Sequence, residues 1–186
     1  MAELMTLYWH PLFGSVRVIW LIKEDFRLIR YKPNTDVATN IAYRRDVHPH
    51  GTIPALVVPG EGTVLKSGAI NMYLADRYKK LLPDPKFLKD YYDFIVYANT
   101  TLDELLETSG IPAWTISPSD WRAEGRGLTA ADCVVGYDIY IYAVLRDGEL
   151  LQNHPRIRKY YDRLKSRSAF QETIRDDQSY LNSFKR

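Results

Sequence analysis

Two regimes of apolar patterning divide the chain. Up to about residue 80, short apolar and β-branched runs alternate with amphipathic stretches; beyond it, apolar residues recur mainly at three and four residue steps. Leu4 to Trp9 alternates as a strand, and after His10-Pro11-Leu12-Phe13-Gly14 a helix begins near Ser15, with Val18, Leu21 and Ile22 on one face. Leu28 to Tyr31 reads as a second strand, and Thr35 to Asp46 as a weak helix with Arg44 and Arg45 near its end. Ala55 to Val58, a Pro-Gly-Glu-Gly turn and Thr63 to Leu65 make a hairpin. Pro54 stands at the first position of its strand, where a missing N–H is tolerated and a cis bond forms a tight corner. Ser67 then opens an amphipathic helix through Ile70, Tyr73, Leu74 and Tyr78.

The predicted order β-α-β-α-β-β-α is that of a thioredoxin-like domain, a parallel β-α-β unit followed by a hairpin. The stretch LLPDPK, Leu81 to Lys86, reads as a linker. After it, Tyr91, Phe94, Ile95, Ala98, Leu102, Leu105 and Leu106 stripe one helix of about five turns. Gly and Pro residues break the pattern between Ser109 and Gly127, leaving room for a short helix around Ser119 to Glu124. Thr129 restarts a helix with Tyr137, Tyr140, Ile141, Val144 and Leu145 on its buried face. A further helix after His154-Pro155 carries Ile157, Tyr160, Tyr161 and Leu164, and a last one Phe170 and Ile174, with a loosely held tail from Asp176. The expected fold is therefore an α/β thioredoxin-like N-terminal domain, residues 1–80, followed by an all-α C-terminal domain, residues 84–186.

Composition narrows the function. The 186 residues are 46% hydrophobic and 26% charged with net charge +2, which describes an ordinary globular protein with a sizeable core. No Lys/Arg-rich run points to nucleic acid, and no 18-residue apolar run points to a membrane span. Met1-Ala2-Glu3 lacks the start of a secretory signal, so a cytoplasmic location is expected. Cys133 is the single cysteine, which excludes an intrachain disulfide and, inside a helix start, reads as a buried apolar filler. His10, His48, His50 and His154 have no ligand spacing, so no metal is expected.

The stretch from His48 to Tyr78 carries a resemblance. His48-Pro49-His50-Gly51-Thr52-Ile53-Pro54-Ala55-Leu56, followed by Leu65-Lys66-Ser67-Gly68-Ala69-Ile70 and Tyr73-Leu74-Ala75, resembles the glutathione-binding half of glutathione transferases. Leu128-Thr129-Ala130-Ala131-Asp132 is similar to that family's (S/T)-x-x-D helix start. Here Thr129 can cap the Asp132 N–H while the Asp132 carboxylate returns to the Thr129 backbone. His154-Pro155 and Ser166 to Phe170 are similar to its last two helices, so the likeness spans nearly the whole chain.

The resemblance implies that the Ile53-Pro54 bond is cis, that Ile53 pairs through its backbone with the glutathione cysteine, and that Ser67 grips the γ-glutamyl carboxylate. Physically, a serine at a helix start, with free N–H groups and the positive dipole end, suits a carboxylate; equally, Ser67 can be an N-cap and nothing more. The family's catalysis requires a hydroxyl or helix N-terminus that stabilises the glutathione thiolate. The usual donor positions fall near Phe13 and Gly14, which offer none. Ser15 is the first candidate and Tyr8 the second; otherwise Ser15 is a helix cap and Tyr8 a core aromatic.

Lys66 stands where family members carry Glu or Gln. It favours a carboxylate, repels the neighbouring ammonium, or is simply a solvated strand-end lysine. Arg44 or Arg45 can pair with the glycyl carboxylate or line a solvated face. The segment between linker and Thr129 is short for two long helices, which implies an open electrophile pocket. The expected function is a glutathione transferase conjugating glutathione, its co-substrate, to a small electrophile, with no other cofactor. It would work as a homodimer through the Ser67 and Tyr91 helices. The alternative is a glutathione-transferase-like module that binds protein or ligand without catalysis.

Overall fold

A computed structural model describes residues 4–25, 30–33, 39–103, 127–145, 148, 151–152 and 154–184. Strand β1 (Thr6–Trp9) pairs in parallel with β2 (Arg30–Pro33) and antiparallel with β3 (Ala55–Val58), which continues into β4 (Gly62–Leu65); the sheet order is β2-β1-β3-β4. Helix α1 (Ser15–Asp25) follows β1, α2 (Ile41–Asp46) precedes β3, and α3 (Ser67–Tyr78) follows β4. This is the expected thioredoxin-like order. The second strand lies two residues later than its apolar run suggests, because parallel pairing sets Thr6 against Arg30.

Beyond a 3₁₀ turn at Pro85–Phe87 the described residues form only helices and turns: α4 (Leu88–Tyr97), α5 (Ala130–Leu145), α6 (Pro155–Lys165) and α7 (Ser168–Phe184). The long helix expected through Leu106 is interrupted after Tyr97 by a π turn, Ala98–Leu102. The apolar stripe survives the change of pitch, since Tyr91, Ile95, Ala98 and Leu102 are all buried. Leu105, Leu106 and the helix expected around Ser119 lie outside the described residues. No helix among the described residues is long and apolar enough to cross a membrane.

Helices α1 and α3 form the layer between sheet and helical domain: α1 packs on α5 and α7, and α3 on α5. One apolar core consequently runs through both halves, from Leu7 and Leu56 through Trp20, Leu21 and Leu74 to Tyr137, Leu164 and Phe170. Trp20 meets Phe170 at a ring distance of 4.6 Å. Gly136 lets α5 approach this layer, since a Cβ there would stand 2.5 Å from Leu164 Cδ1 and 2.9 Å from Trp20 Cζ3.

Two expectations about the helical domain need correction. Val144 is exposed, not buried, because α5 has by then passed the edge of the core. The tail from Asp176 is held: α7 continues to Phe184, and Asp177 is fully buried with Leu12 and Tyr137 as partners. At the start of α5 the Asp132 carboxylate does return to Thr129 N, at 2.8 Å. The Thr129 hydroxyl, however, donates to that same carboxylate instead of capping the Asp132 N–H. Asp132 also accepts from Tyr160 Oη at 3.0 Å, so one buried carboxylate ties α5 to α6.

Candidate functional site

The C-terminal end of β1, the Ile53-Pro54 corner and the starts of α1 and α3 converge on one place. Tyr8 is the last β1 residue paired with β3, opposite Ala55, so the chain leaves β1 beside Ile53 and Pro54, whose peptide bond is cis. It then turns through Leu12, at φ +64°, into α1. Gly14 brings this turn against α3, since a Cβ there would lie 3.5 Å from Ser67 Oγ and 3.4 Å from Arg17 Nη1.

Ser67 is the first residue of α3, and the N-cap position belongs to Lys66, at φ +72° with no side-chain capping bond. The Ser67 hydroxyl is therefore free of a capping role. It donates to Asn99 Oδ1 at 2.7 Å and accepts from Arg17 Nη1 at 3.3 Å. Asn99 also takes bonds from Gly68 N and Arg17 Nη1, both at 3.2 Å, and its amide nitrogen donates to Ile95 O. The α3–α4 approach depends on Gly68, where a Cβ would come within 2.6 Å of Asn99 Nδ2.

Arg17, on the buried side of α1, is 3% exposed and forms the centre of the arrangement. Its Nε donates to Asp138 Oδ1 of α5 at 2.8 Å, its Nη1 reaches Asp103 Oδ2 at 3.1 Å, and its Nη2 contacts both aspartates. Burial opposes the charge on Arg17, but Asp138 and Asp103 outweigh it and hold the guanidinium above its ordinary pKa. Burial pushes Asp138 up to about 7, with Arg17 opposing and Asp103 adding to the rise. Asp138 Oδ2 is buried without a hydrogen-bond partner. Arg17, Asn99, Asp103 and Asp138 were not anticipated; a lone arginine inside the apolar run Val16 to Ile22 was the available signal.

Neither hydroxyl named as thiol donor faces Ser67. Ser15 is fully buried, donating to His10 O at 2.8 Å and accepting from His10 N at 3.1 Å, so its proton clamps the β1–α1 turn. Tyr8 lies on the opposite sheet face from Leu7, and its ring stands 5.1 Å from that of Tyr43 on α2. Burial and then Tyr8 raise Tyr43 to about 12. Phe13, at a position usual for the donor, is 56% exposed. Arg44 is exposed and donates to Pro49 O at 3.3 Å, while Arg45 pairs with Asp46.

His48 props the proline corner. Its Nδ1 accepts from His50 N at 3.2 Å, which leaves the proton on Nε2, 2.8 Å from Thr52 Oγ1. Burial, then His50 and Lys66, lower its pKa. No group of three or more His, Cys, Asp or Glu among the described residues is arranged to hold a metal.

With this geometry in hand, similarity to solved structures defines the fold. No protein-family model matches the sequence, and no curated protein does. A glutathione S-transferase-like protein from Lodderomyces elongisporus superposes with TM-score 0.76 at 18% identity, covering 93% of this chain and 96% of its own. A glutathione transferase homologue from Sulfitobacter, solved with bound glutathione, gives TM-score 0.76 at 19% identity, covering 95% and 99%. Ure2p5 from Phanerochaete chrysosporium, cocrystallised with 1-(S-glutathionyl)-2,4-dinitrobenzene, gives 0.73 at 14%, covering 98% of each chain. The chain has the glutathione-transferase fold.

The tautomer of His48 yields a prediction. Its folded pKa is lowered, so below 6.5 the unfolded chain takes up a proton that the folded chain refuses. Stability is lost as pH falls from 6.5 toward the folded value. Thermal melting from pH 8 to pH 5 should show a steeper decline for wild type than for His48→Gln, and equal slopes would refute the assignment.

Proposed function

We propose that this protein binds glutathione with its γ-glutamyl end at the start of α3 and presents the thiolate to a small electrophile. The observation that carries the reading is the guanidinium of Arg17 against the Ser67 hydroxyl at a helix N-terminus. A carboxylate there gains the positive end of α3 and a nearby buried cation, and takes the Ser67 hydroxyl and the Gly68 N–H in exchange for their bonds to Asn99 Oδ1. Asp103, with 43% of its side chain exposed, supplies the counter-charge for the ammonium that family members assign to the residue before Ser67. Ile53 offers its backbone to the cysteine of glutathione beside Pro54. Lys66, close enough to His48 to depress its pKa, offers a cation for the glycyl carboxylate, and Arg44 is a further candidate.

The thiol then lies at the turn into α1. With Ser15 committed to His10 and Tyr8 on the other sheet face, the stabilising group is the positive end of α1, where Val16 N closes on Phe13 O at 2.9 Å just behind the turn. The exposed Phe13 at the donor position favours a second reading, a module that binds glutathione or a partner without turnover.

Calorimetric titration with glutathione and a conjugation assay separate these readings. Ser67→Ala should weaken glutathione binding roughly ten to a hundredfold, the worth of one charge-assisted hydrogen bond. Wild type that fails to bind at millimolar concentration removes both glutathione readings, and binding without turnover leaves the module. For assembly, Leu88, Tyr92 and Val96 form an exposed apolar stripe on α4, and Tyr78 of α3 is exposed as well. We propose a homodimer through this face; sedimentation as a single 21.6 kDa chain at micromolar concentration would refute it.

A further inference from the structure

The turn that leads into α1 is held from the far end of the chain. Leu12 N donates to Asp177 Oδ1 of α7 at 3.0 Å, across 165 residues, and the other carboxylate oxygen accepts from Tyr137 Oη of α5 at 2.7 Å. Leu12 is in the left-handed region, at φ +64°, which a leucine adopts only when something compensates. Asp177 is 0% exposed, so a buried carboxylate completes this turn. Tyr180, one helical turn further along α7, packs edge-on against His10 at 4.9 Å, and His10 in turn meets Phe13 at 5.2 Å.

We propose that Asp177 is a positioning residue for the thiol end of the site, acting through the backbone of Leu12; this rests on the glutathione reading above. Leu12 is two residues before Gly14, whose position beside Ser67 and Arg17 sets where the first N–H groups of α1 point. Without the carboxylate, Leu12 relaxes toward negative φ and the N-terminus of α1 turns away from the sulfur. The γ-glutamyl end, held by α3 and Arg17, is unaffected. The C-terminal helix is thus a part of the catalytic half of the site that never touches ligand. Lys23 with Glu172 O and Asp176, and Glu24 with Arg167, keep α7 docked on α1 when Asp177 is replaced.

The test reads the thiol pKa of bound glutathione by its ultraviolet thiolate absorbance, and affinity for S-methylglutathione, which has no thiol. Asp177→Ala should raise the thiol pKa, lower kcat about threefold to tenfold at neutral pH with recovery at high pH, and leave S-methylglutathione affinity within about twofold. Asp177→Asn keeps an acceptor for Leu12 N–H and should restore the wild-type pKa. Tyr137→Phe, which removes only the hydroxyl orienting Asp177, should shift the pKa in the same direction by less, and it carries the test if Asp177→Ala does not fold. An unchanged thiol pKa in the folded Ala variant, or in Tyr137→Phe where it stands alone, overturns the proposal. So does a flat loss of turnover at every pH. Wild type that binds neither glutathione nor S-methylglutathione instead removes the reading on which the proposal rests.

Discussion

The buried guanidinium of Arg17 is the interaction on which the two halves of this protein depend. A charge so far from water requires partners, and they come from separate elements: Asp138 on α5, Asn99 and Asp103 at and after the π turn, and Ser67 on α3. Removing one partner from a buried pair costs about 3–5 kcal/mol, so these elements are fixed relative to one another by a shared penalty. That penalty explains the π turn. The wider turn after Tyr97 places Asn99 against the start of α3 and Asp103 against Arg17, while Ala98 and Leu102 remain in the core.

The same constraint shapes the ligand site. With two aspartates around one arginine, burial pushes Asp138 up to about 7, with Asp103 adding to the rise and Arg17 opposing it. Arg17 pairs with both aspartates, and its Nη1 is turned toward Ser67. Charge at this end of the site is thus set by buried residues of α1 and the helical domain.

The fold was legible in the sequence wherever periodicity and turn chemistry agreed. The Ala55 to Leu65 hairpin and the helices carrying Ile70, Ile157 and Phe170 stand where their apolar spacing placed them. Elements defined by tertiary pairing were less legible. The π turn interrupts an apolar stripe that reads as one helix, and the tail after Asp176 looks polar because Asp177 faces partners that local patterning cannot reveal.

Site residues divided in the same way. The cis Ile53-Pro54 corner and the Ser67 helix start were readable because they lie within a short contiguous motif. Ser15 and Tyr8 bear hydroxyls near the right place in sequence, but one closes a turn and the other faces α2. Arg17 stands alone as a charge in the apolar run Val16 to Ile22, and a charge at such a position predicts buried partners.

Arg17 donates to Asp138, Asp103, Asn99 and Ser67, so in the proposed reading it acts on the ligand carboxylate through Ser67 and does not merely hold the fold. Replacing the ion pair as a unit, Arg17→Met with Asp138→Asn, leaves no uncompensated buried charge at position 138 and keeps nearly the same volume. Calorimetric titration of this double variant with glutathione is the direct measurement. A cooperative thermal transition together with an affinity roughly ten to a hundredfold below wild type is the predicted result; a folded double variant that binds glutathione as tightly as wild type would contradict it.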